Sequence, residues 1–194
     1  YGTSAIVFID WILIMIPLMK RRLPVSSQLT SYLSKSETIG QYTNFGPLHN
    51  ELRKYFAERY KGESANVALA SSATLALSLC ISHYRQNDTL SSTFNVVMPS
   101  WTFSATAHSA MLLGCDITFI DTAPDGSIHP TNIINLIDND LLEKPNLILP
   151  VIPFGRSYKA EEWEDFSQNT GIPVVIDCAA GFSSAQLSSI PTVV

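Results

Sequence analysis

Three short segments of the 194-residue chain carry side chains that could bind a ligand or move a proton. Residues 71–74 offer hydroxyls and backbone N–H groups, which suit an anion. Residues 99–103 offer two aromatic rings around a threonine, and residues 177–181 offer a carboxylate followed by small residues. Each segment directly follows an apolar run. The sequence therefore predicts three chemically active loops at the ends of strands.

Asp177 is the most informative of these residues, because it ends the apolar run 173–176. A buried carboxylate is costly unless a cation or a hydrogen-bond donor meets it. The local sequence leaves four roles open. Asp177 could keep the nitrogen of a pyridine ring protonated and so make the ring an electron sink. It could also bind a metal, act as a general acid or base, or cap a following helix.

The other two segments are open to a structural and a functional interpretation. Residues 71–74 could hold a phosphate at a helix start, or Ser and Thr could simply cap that helix. Neither a GxGxxG nor a Walker-type loop is present in the sequence. Trp101 and Phe103 could stack on a planar ligand or belong to the core.

The elements that must position these loops alternate along the chain. An arm or short helix and a loop are predicted at 23–46, and an amphipathic helix at 48–60. Strands are predicted at 66–70, 94–98, 115–120, 146–151 and 173–176, with helices at 71–84, 102–113, 130–137 and 161–169. This alternation predicts a three-layer α/β fold, a mostly parallel sheet with helices on both faces. Ligands of such sheets bind at the carboxyl ends of the strands.

Composition narrows the class of protein. Apolar residues make up 46% of the chain and charged residues 15%, with a net charge of −5 and no basic cluster beyond residues 20–22. This argues against nucleic-acid binding. Three scattered cysteines favour reduced thiols in an intracellular protein, and four histidines without ligand spacing predict no metal site.

The first 22 residues are expected to be an N-terminal extension or arm. Residues 5–19 are apolar except for Asp10, and the basic residues 20–22 follow them. Spanning a bilayer takes about 20 apolar residues, so this run is short. Residues 1–14 are interpreted as an upstream extension, with a membrane anchor as the alternative.

Taken together, the segments resemble the DegT/DnrJ/EryC1/StrS family of sugar aminotransferases, which use pyridoxal 5′-phosphate (PLP) and have fold type I. The resemblance runs from about residue 16 to residue 186 and rests on order and spacing rather than on one motif. The segments that carry it are 42–48, 70–77, 99–106, 119–121, 149–155 and 173–180.

The resemblance implies a role for each candidate residue. Ala73 and Thr74 match the pair that holds the cofactor phosphate, and Phe103 matches the aromatic residue stacked on the pyridine ring. Asp177 matches the partner of the ring nitrogen. Ala180 stands where many members place Gln or His near the ring hydroxyl, which is a departure from the family pattern.

The resemblance also implies a Schiff-base lysine downstream of Asp177. The six lysines, at positions 20, 35, 54, 61, 144 and 159, all precede that residue, so the lysine is absent from this chain. Residues 23–194 are therefore expected to be the N-terminal part of a PLP-binding large domain. The expected truncation falls before the lysine loop and the small C-terminal domain, and the piece alone is expected to be inactive.

By the same resemblance, the full-length protein is expected to be a cytoplasmic, homodimeric aminotransferase. Its expected substrate is a nucleotide-linked keto sugar, and its expected amino donor is glutamate. One alternative is a non-catalytic or truncated homologue, and another is a PLP- or pyridoxamine-phosphate-dependent sugar dehydratase. An unrelated hydrolase or nucleotide binder is disfavoured, because the sequence has no GxSxG elbow and no glycine-rich phosphate loop.

Overall fold

Short parallel strands and longer helices alternate along the chain. A computed structural model describes residues 23–63, 66–88 and 93–194. Its helices are α1 (Ser26–Ile39), α2 (Pro47–Arg59), α3 (Ala73–Asn87), α4 (Ser104–Met111), α5 (Pro130–Asp138) and α6 (Ala160–Thr170). Its strands are β1 (Asn95–Pro99), β2 (Asp116–Ile120), β3 (Leu147–Ile148), β4 (Ile176–Asp177) and β5 (Thr192–Val193). A 3₁₀ turn, Pro153–Gly155, lies between β3 and α6.

The strands align in the order β2-β1-β3-β4-β5. Strands β2, β1 and β3 pair in parallel, and so do β4 and β5. Parallel bridges from Ile148 to Val174 and from Val151 to Asp177 join the two groups. All strands therefore end at the same edge, which confirms the predicted parallel α/β fold.

The chain divides into two compact units, Tyr1–Leu48 and His49–Val194. In the described part of the first unit, α1 is followed by Gly40 in the left-handed conformation, with φ 70°. The predicted N-terminal arm and its membrane-anchor alternative lie outside the described residues. Within the described ranges, no helix is both long and apolar enough to cross a bilayer.

Two apolar clusters cover the two faces of the sheet in the second unit. Because side chains alternate along a strand, Val96 and Leu147 belong to one cluster, and their neighbours Val97 and Ile148 belong to the other. Helices α3 and α4 contribute Leu77, Ile81 and Ala110 to the first cluster. Helices α5 and α6 contribute Ile133, Trp163 and Phe166 to the second. This arrangement confirms the predicted three layers.

The predicted strand at 66–70 is wrong. Residues 67–70 lie in an irregular segment, and no strand of the described chain pairs with them. The Val67 carbonyl instead accepts a hydrogen bond of 2.9 Å from Arg53 Nε. An apolar run becomes a strand only where a neighbouring strand supplies backbone hydrogen-bond partners. Here a groove of about 680 Å³ lies between this segment and residues 185–194.

The other predicted elements are present with shifted ends. The region predicted as one strand at 146–151 pairs regularly only at β3, and the region at 173–176 pairs regularly only at β4. The acidic run 161–165 lies at the start of α6, with Glu161 and Glu162 in its first turn. This position agrees with the favourable interaction of acidic side chains with a helix N-terminus.

Cys178 follows β4 and is fully buried. Its thiol lies 3.5 Å from the Gly181 carbonyl oxygen in the turn that follows. Burial is the main cause that raises the pKa of the thiol to about 11, and the charge of Asp177 acts in the same direction. The Cys178 thiol is therefore protonated and unreactive at neutral pH.

Because both faces of β3 are packed in the core, alanine substitutions on either face should lower the free energy of unfolding to a similar degree. Leu147→Ala and Ile148→Ala should each lower the free energy of unfolding by ~2–5 kcal/mol, because each leaves a cavity in a different cluster. Leu141→Ala, at a position that is 74% exposed, is the control and should change it by less than ~0.5 kcal/mol. Urea titration of the chain measures all three. A near-neutral result at either buried position would show that one face of the sheet is open.

The raised pKa of Cys178 predicts a loss of stability in alkali. The unfolded chain releases the thiol proton near the ordinary pKa of 9.0, and the folded chain only near 11. The unfolded state thus binds fewer protons between these values, so stability that is present below pH 9 is lost as the pH rises to 11. The measurement is the unfolding free energy of wild type minus that of Cys178→Ala. This difference should shrink over that window, and a constant difference would contradict the assignment.

Candidate active site

Asp177 is the last residue of β4 and is buried, with 6% of its surface exposed. Its Oδ2 accepts a hydrogen bond of 2.7 Å from Thr106 Oγ1, and its Oδ1 accepts one of 3.1 Å from the backbone N–H of Ala179. Only turns and β5 follow it in residues 178–194, so Asp177 does not cap a helix. One of the four roles suggested by the sequence is therefore excluded.

The Asp177 carboxylate has hydrogen-bond donors but, within the described part of the chain, no counter-charge. Among the residues that the structure describes, no Lys, Arg or His forms an ion pair with it. The same residues contain no group of three or more His, Cys, Asp or Glu that could hold a metal ion. Because a buried carboxylate is stabilised best by a charge and not by neutral donors alone, this position suits a cationic N–H group of a ligand.

The start of α3 leaves backbone donors available. Ser72 is the N-cap, and its Oγ accepts the N–H of Leu75, while the N–H of Ala76 donates to the Ser72 carbonyl. The first N–H groups of a helix have no partner within it, and those of Ala73 and Thr74 point out of the helix start. The predicted cap is thus present at Ser72, and the adjacent N–H groups form a site that suits a phosphate.

The predicted aromatic loop ends at the start of α4. Phe103 occupies the N-cap position of this helix and is 79% exposed, and Trp101 is 61% exposed. Neither ring belongs to the core, so the core alternative is wrong for both. Thr102, between the two rings, places its Oγ1 2.7 Å from Thr106 Oγ1. The loop after β1 is therefore linked through Thr106 to the carboxylate at the end of β4.

Ala180 lies in the turn after β4, where its side chain is exposed and carries no polar group. Gly155, with φ 70°, approaches it so closely that an added Cβ would lie 2.8 Å from the Ala180 carbonyl oxygen. The preceding Phe154 has φ 55° and is 77% exposed. On the other side, Tyr60 Oη donates a hydrogen bond of 2.7 Å to the Phe182 carbonyl. The turn that contains Ala180 thus lies between the 3₁₀ turn Pro153–Gly155 and the residue that follows α2.

A row of buried polar side chains connects the start of α3 to the end of β4; its members are Ser78, Ser109, Thr106 and Asp177. Ser109 Oγ donates to the Thr106 carbonyl at 2.6 Å, and Ser78 Oγ lies 2.9 Å from the Ser109 carbonyl oxygen and 3.1 Å from that of Thr74. The groove of about 680 Å³ is lined by Ala73 but not by Asp177, Phe103 or Ala180. The candidate residues thus lie on connected elements, while this groove lies to one side of them.

Thr106 is the site residue that sequence reasoning missed. The available signal was its spacing of four residues from Thr102, which would place both hydroxyls on one face of the helix predicted at 102–113. Its partner Asp177 is 71 residues away in the sequence, so no local pattern indicated the contact.

Comparison with known proteins places these features in one family. The chain is 29% identical to the dTDP-4-amino-4,6-dideoxy-D-glucose transaminase of Escherichia coli over 168 residues, which is 86% of the chain and 42% of that enzyme. A Bacillus cereus protein described as a PLP-dependent aminotransferase superposes with a TM-score of 0.71 at 27% identity, over 87% of the chain and 44% of that structure. A sugar aminotransferase from Micromonospora echinospora has the same fold, with a TM-score of 0.69 at 19% identity, over 89% of the chain and 47% of the structure.

These relatives are longer than the chain, which spans less than half of each of them. Family membership rests on the match to the family profile and not on a single relative. The family profile covers residues 25–188, and every candidate residue lies inside that range. The chain belongs to the DegT/DnrJ/EryC1/StrS aminotransferase family.

Proposed function

We propose that residues 23–194 form the cofactor-binding part of an aminotransferase that transfers an amino group from glutamate to a nucleotide-linked keto sugar. The cofactor of this family is PLP. One observation carries the proposal: Asp177 is buried at the carboxyl edge of a parallel sheet, held by two neutral donors and without a cationic partner among the residues that the structure describes. Such a carboxylate suits a protonated pyridine nitrogen.

Each candidate residue has a part in this proposal. The N–H groups of Ala73 and Thr74, with the Thr74 hydroxyl, bind the phosphate, where the partial positive charge of α3 favours an anion. Phe103 covers one face of the ring, since its own ring is free at the loop tip. Asp177 holds a proton on the ring nitrogen. When it is bound, the cofactor supplies an electron sink for the carbon that gains or loses the amino group.

Ala180 has a smaller part. Its methyl group can only contact the cofactor through van der Waals forces, because it has no donor or acceptor for the ring hydroxyl. We propose that the ring hydroxyl is bound by water or by a residue outside this segment, and that the protein belongs to a divergent subgroup of the family.

Two components are proposed to come from outside these 194 residues. All six lysines precede Asp177, so the lysine that binds the cofactor covalently and transfers protons has no counterpart at the family position here. A homodimer partner in the cytoplasm is the second component. The exposed rings of Trp101, Phe103 and Phe154 are compatible with a subunit contact at this edge of the sheet.

The substrate class is taken from a relative. The E. coli relative is named as a transaminase of a dTDP-linked amino sugar, and it matches 86% of the chain. We therefore propose a nucleoside-diphosphate-linked keto sugar as acceptor. A second candidate is a non-catalytic homologue that only binds the cofactor, which the apolar Ala180 favours.

Cofactor binding by this chain is expected to depend on Asp177. Pyridoxamine 5′-phosphate is the probe, because it binds without a lysine. Asp177→Asn keeps the shape of the side chain but removes its charge, and should weaken binding by ~10–100-fold, as expected for the loss of a hydrogen bond between charged groups. Tryptophan fluorescence titration gives the Kd. The matched control is Asp165→Asn on the exposed side of α6, which should bind like wild type. Unchanged binding by Asp177→Asn would contradict the proposed role.

Amino transfer is tested with the complete natural protein that carries these residues. With glutamate and a dTDP-linked keto sugar, we expect 2-oxoglutarate and the amino sugar to form in equal amounts. Asp177→Asn should lower kcat by ~100-fold or more, because the electron sink needs a protonated ring. Tight cofactor binding with no amino transfer to any keto sugar would instead support the non-catalytic homologue.

A further inference from the structure

The Thr106 hydroxyl points away from the usual partner of a helical threonine. A Thr or Ser in a helix commonly donates to the carbonyl four residues earlier, as the half-buried Thr170 does to Phe166 at 2.7 Å. Thr106 is only 1% exposed, yet its hydroxyl donates to Asp177, on another element. The Thr106 side chain therefore stabilises the orientation of the carboxylate and not its own helix.

The Asp177 carboxylate needs such a contact to have a fixed plane. The χ2 torsion of aspartate is broad, so packing at Cβ alone does not determine where its two oxygens lie. The Ala179 N–H holds Oδ1 and the Thr106 hydroxyl holds Oδ2. With one bond to each oxygen, rotation about χ2 would break both. Without the Thr106 hydroxyl, the plane of the Asp177 carboxylate is held only at Oδ1.

The direction of the hydrogen bonds follows from the chemistry of the groups. An ionised carboxylate only accepts, so the proton of the Thr106 hydroxyl is committed to Asp177. The contact of 2.7 Å between Thr102 Oγ1 and Thr106 Oγ1 then has Thr102 as the donor. The series of hydrogen bonds therefore runs from the half-exposed Thr102 through the buried Thr106 to Asp177. Both hydroxyls are neutral and leave the negative charge of Asp177 available to a ligand.

The same helix is connected to the phosphate end of the site. The Thr106 carbonyl accepts from Ser109, and Ser78 in α3 lies within hydrogen-bond distance of the Ser109 and Thr74 carbonyl oxygens. In the described residues of the second unit, the buried polar side chains are those of Ser78, Thr106, Ser109 and Asp177. They all belong to this one connected row.

We propose that Thr106 is a positioning residue that holds the Asp177 carboxylate toward the ring nitrogen of the cofactor, with Thr102 supporting it from the loop. This inference rests on the proposed function, because it assigns Asp177 a ring nitrogen to meet. Thr106 acts through Asp177 and does not itself contact the ligand. Its effect should consequently appear only with ligands that contain that nitrogen.

The test compares two ligands on the full 194-residue chain. One is pyridoxamine 5′-phosphate, and the other is its analogue in which C–H replaces the ring nitrogen. Wild type should prefer the pyridine ligand. Thr106→Val has nearly the same shape without the hydroxyl, and should reduce this preference by ~5–10-fold, the effect of losing one hydrogen bond to a charged group. Affinity for the nitrogen-free analogue should stay within twofold of wild type, and Thr106→Ser should restore the preference.

The outcomes separate this inference from the proposed function. A wild-type preference that is unchanged in Thr106→Val would overturn the role of Thr106 and leave the role of Asp177 intact. Equal loss of both ligands in Thr106→Val would also overturn it, since a merely structural role affects both. A wild type that shows no preference would overturn the proposed function and this inference together.

A second variant covers the case in which Thr106→Val does not fold. Thr102→Val changes the half-exposed end of the row, where substitutions are tolerated, and should lower the pyridine preference by ~2–3-fold, because it acts through one more hydrogen bond. Circular dichroism and thermal unfolding confirm that each variant is folded. If Thr106→Val is unfolded, an unchanged preference in Thr102→Val would overturn the proposed row.

Discussion

The buried charge of Asp177 is the constraint on which the site depends. A carboxylate can be buried only if donors replace its lost water, and the nearest donors belong to two different segments. The Thr106 donor requires α4 to begin beside the end of β4. Because α4 directly follows β1, and β3 lies between β1 and β4, the order of three strands is fixed by the same requirement. The chemistry and the topology are thus linked through one side chain.

Side-chain alternation in β4 makes this arrangement sensitive to register. Ile176 and Cys178 point into the cluster under α5 and α6, so Asp177 between them points toward α3 and α4. A slip by one residue would place the carboxylate against Trp163 and Phe166, where no donor of the site could reach it. The apolar side chains on either side of Asp177 therefore determine where its charge lies.

The sequence predicted the parts of this fold that depend on short-range patterns. Alternating apolar and polar segments predicted the parallel sheet, and the ends of the predicted strands directed attention to the loop 99–103 and to Asp177. The strand at 66–70 was predicted incorrectly, because its pattern is that of a strand while pairing depends on a neighbour. Thr106 was missed for the same reason, since its partner Asp177 is distant in the sequence and the spacing from Thr102 does not indicate that contact. The cofactor-binding roles of Ala73, Thr74, Phe103, Asp177 and Ala180 came from family resemblance and stay predictions.

The two faces of the sheet carry different kinds of constraint. The face under α5 and α6 is packed with apolar side chains such as Ile133, Ile148 and Trp163, so substitutions of similar volume there affect stability alone. The face under α3 and α4 combines an apolar cluster with the row of Ser78, Ser109, Thr106 and Asp177. Apolar replacements in that row could pack as well and still lose the direction of the carboxylate. Substitutions on the face under α5 and α6 therefore change stability alone, whereas substitutions in the row under α3 and α4 can change function without changing stability.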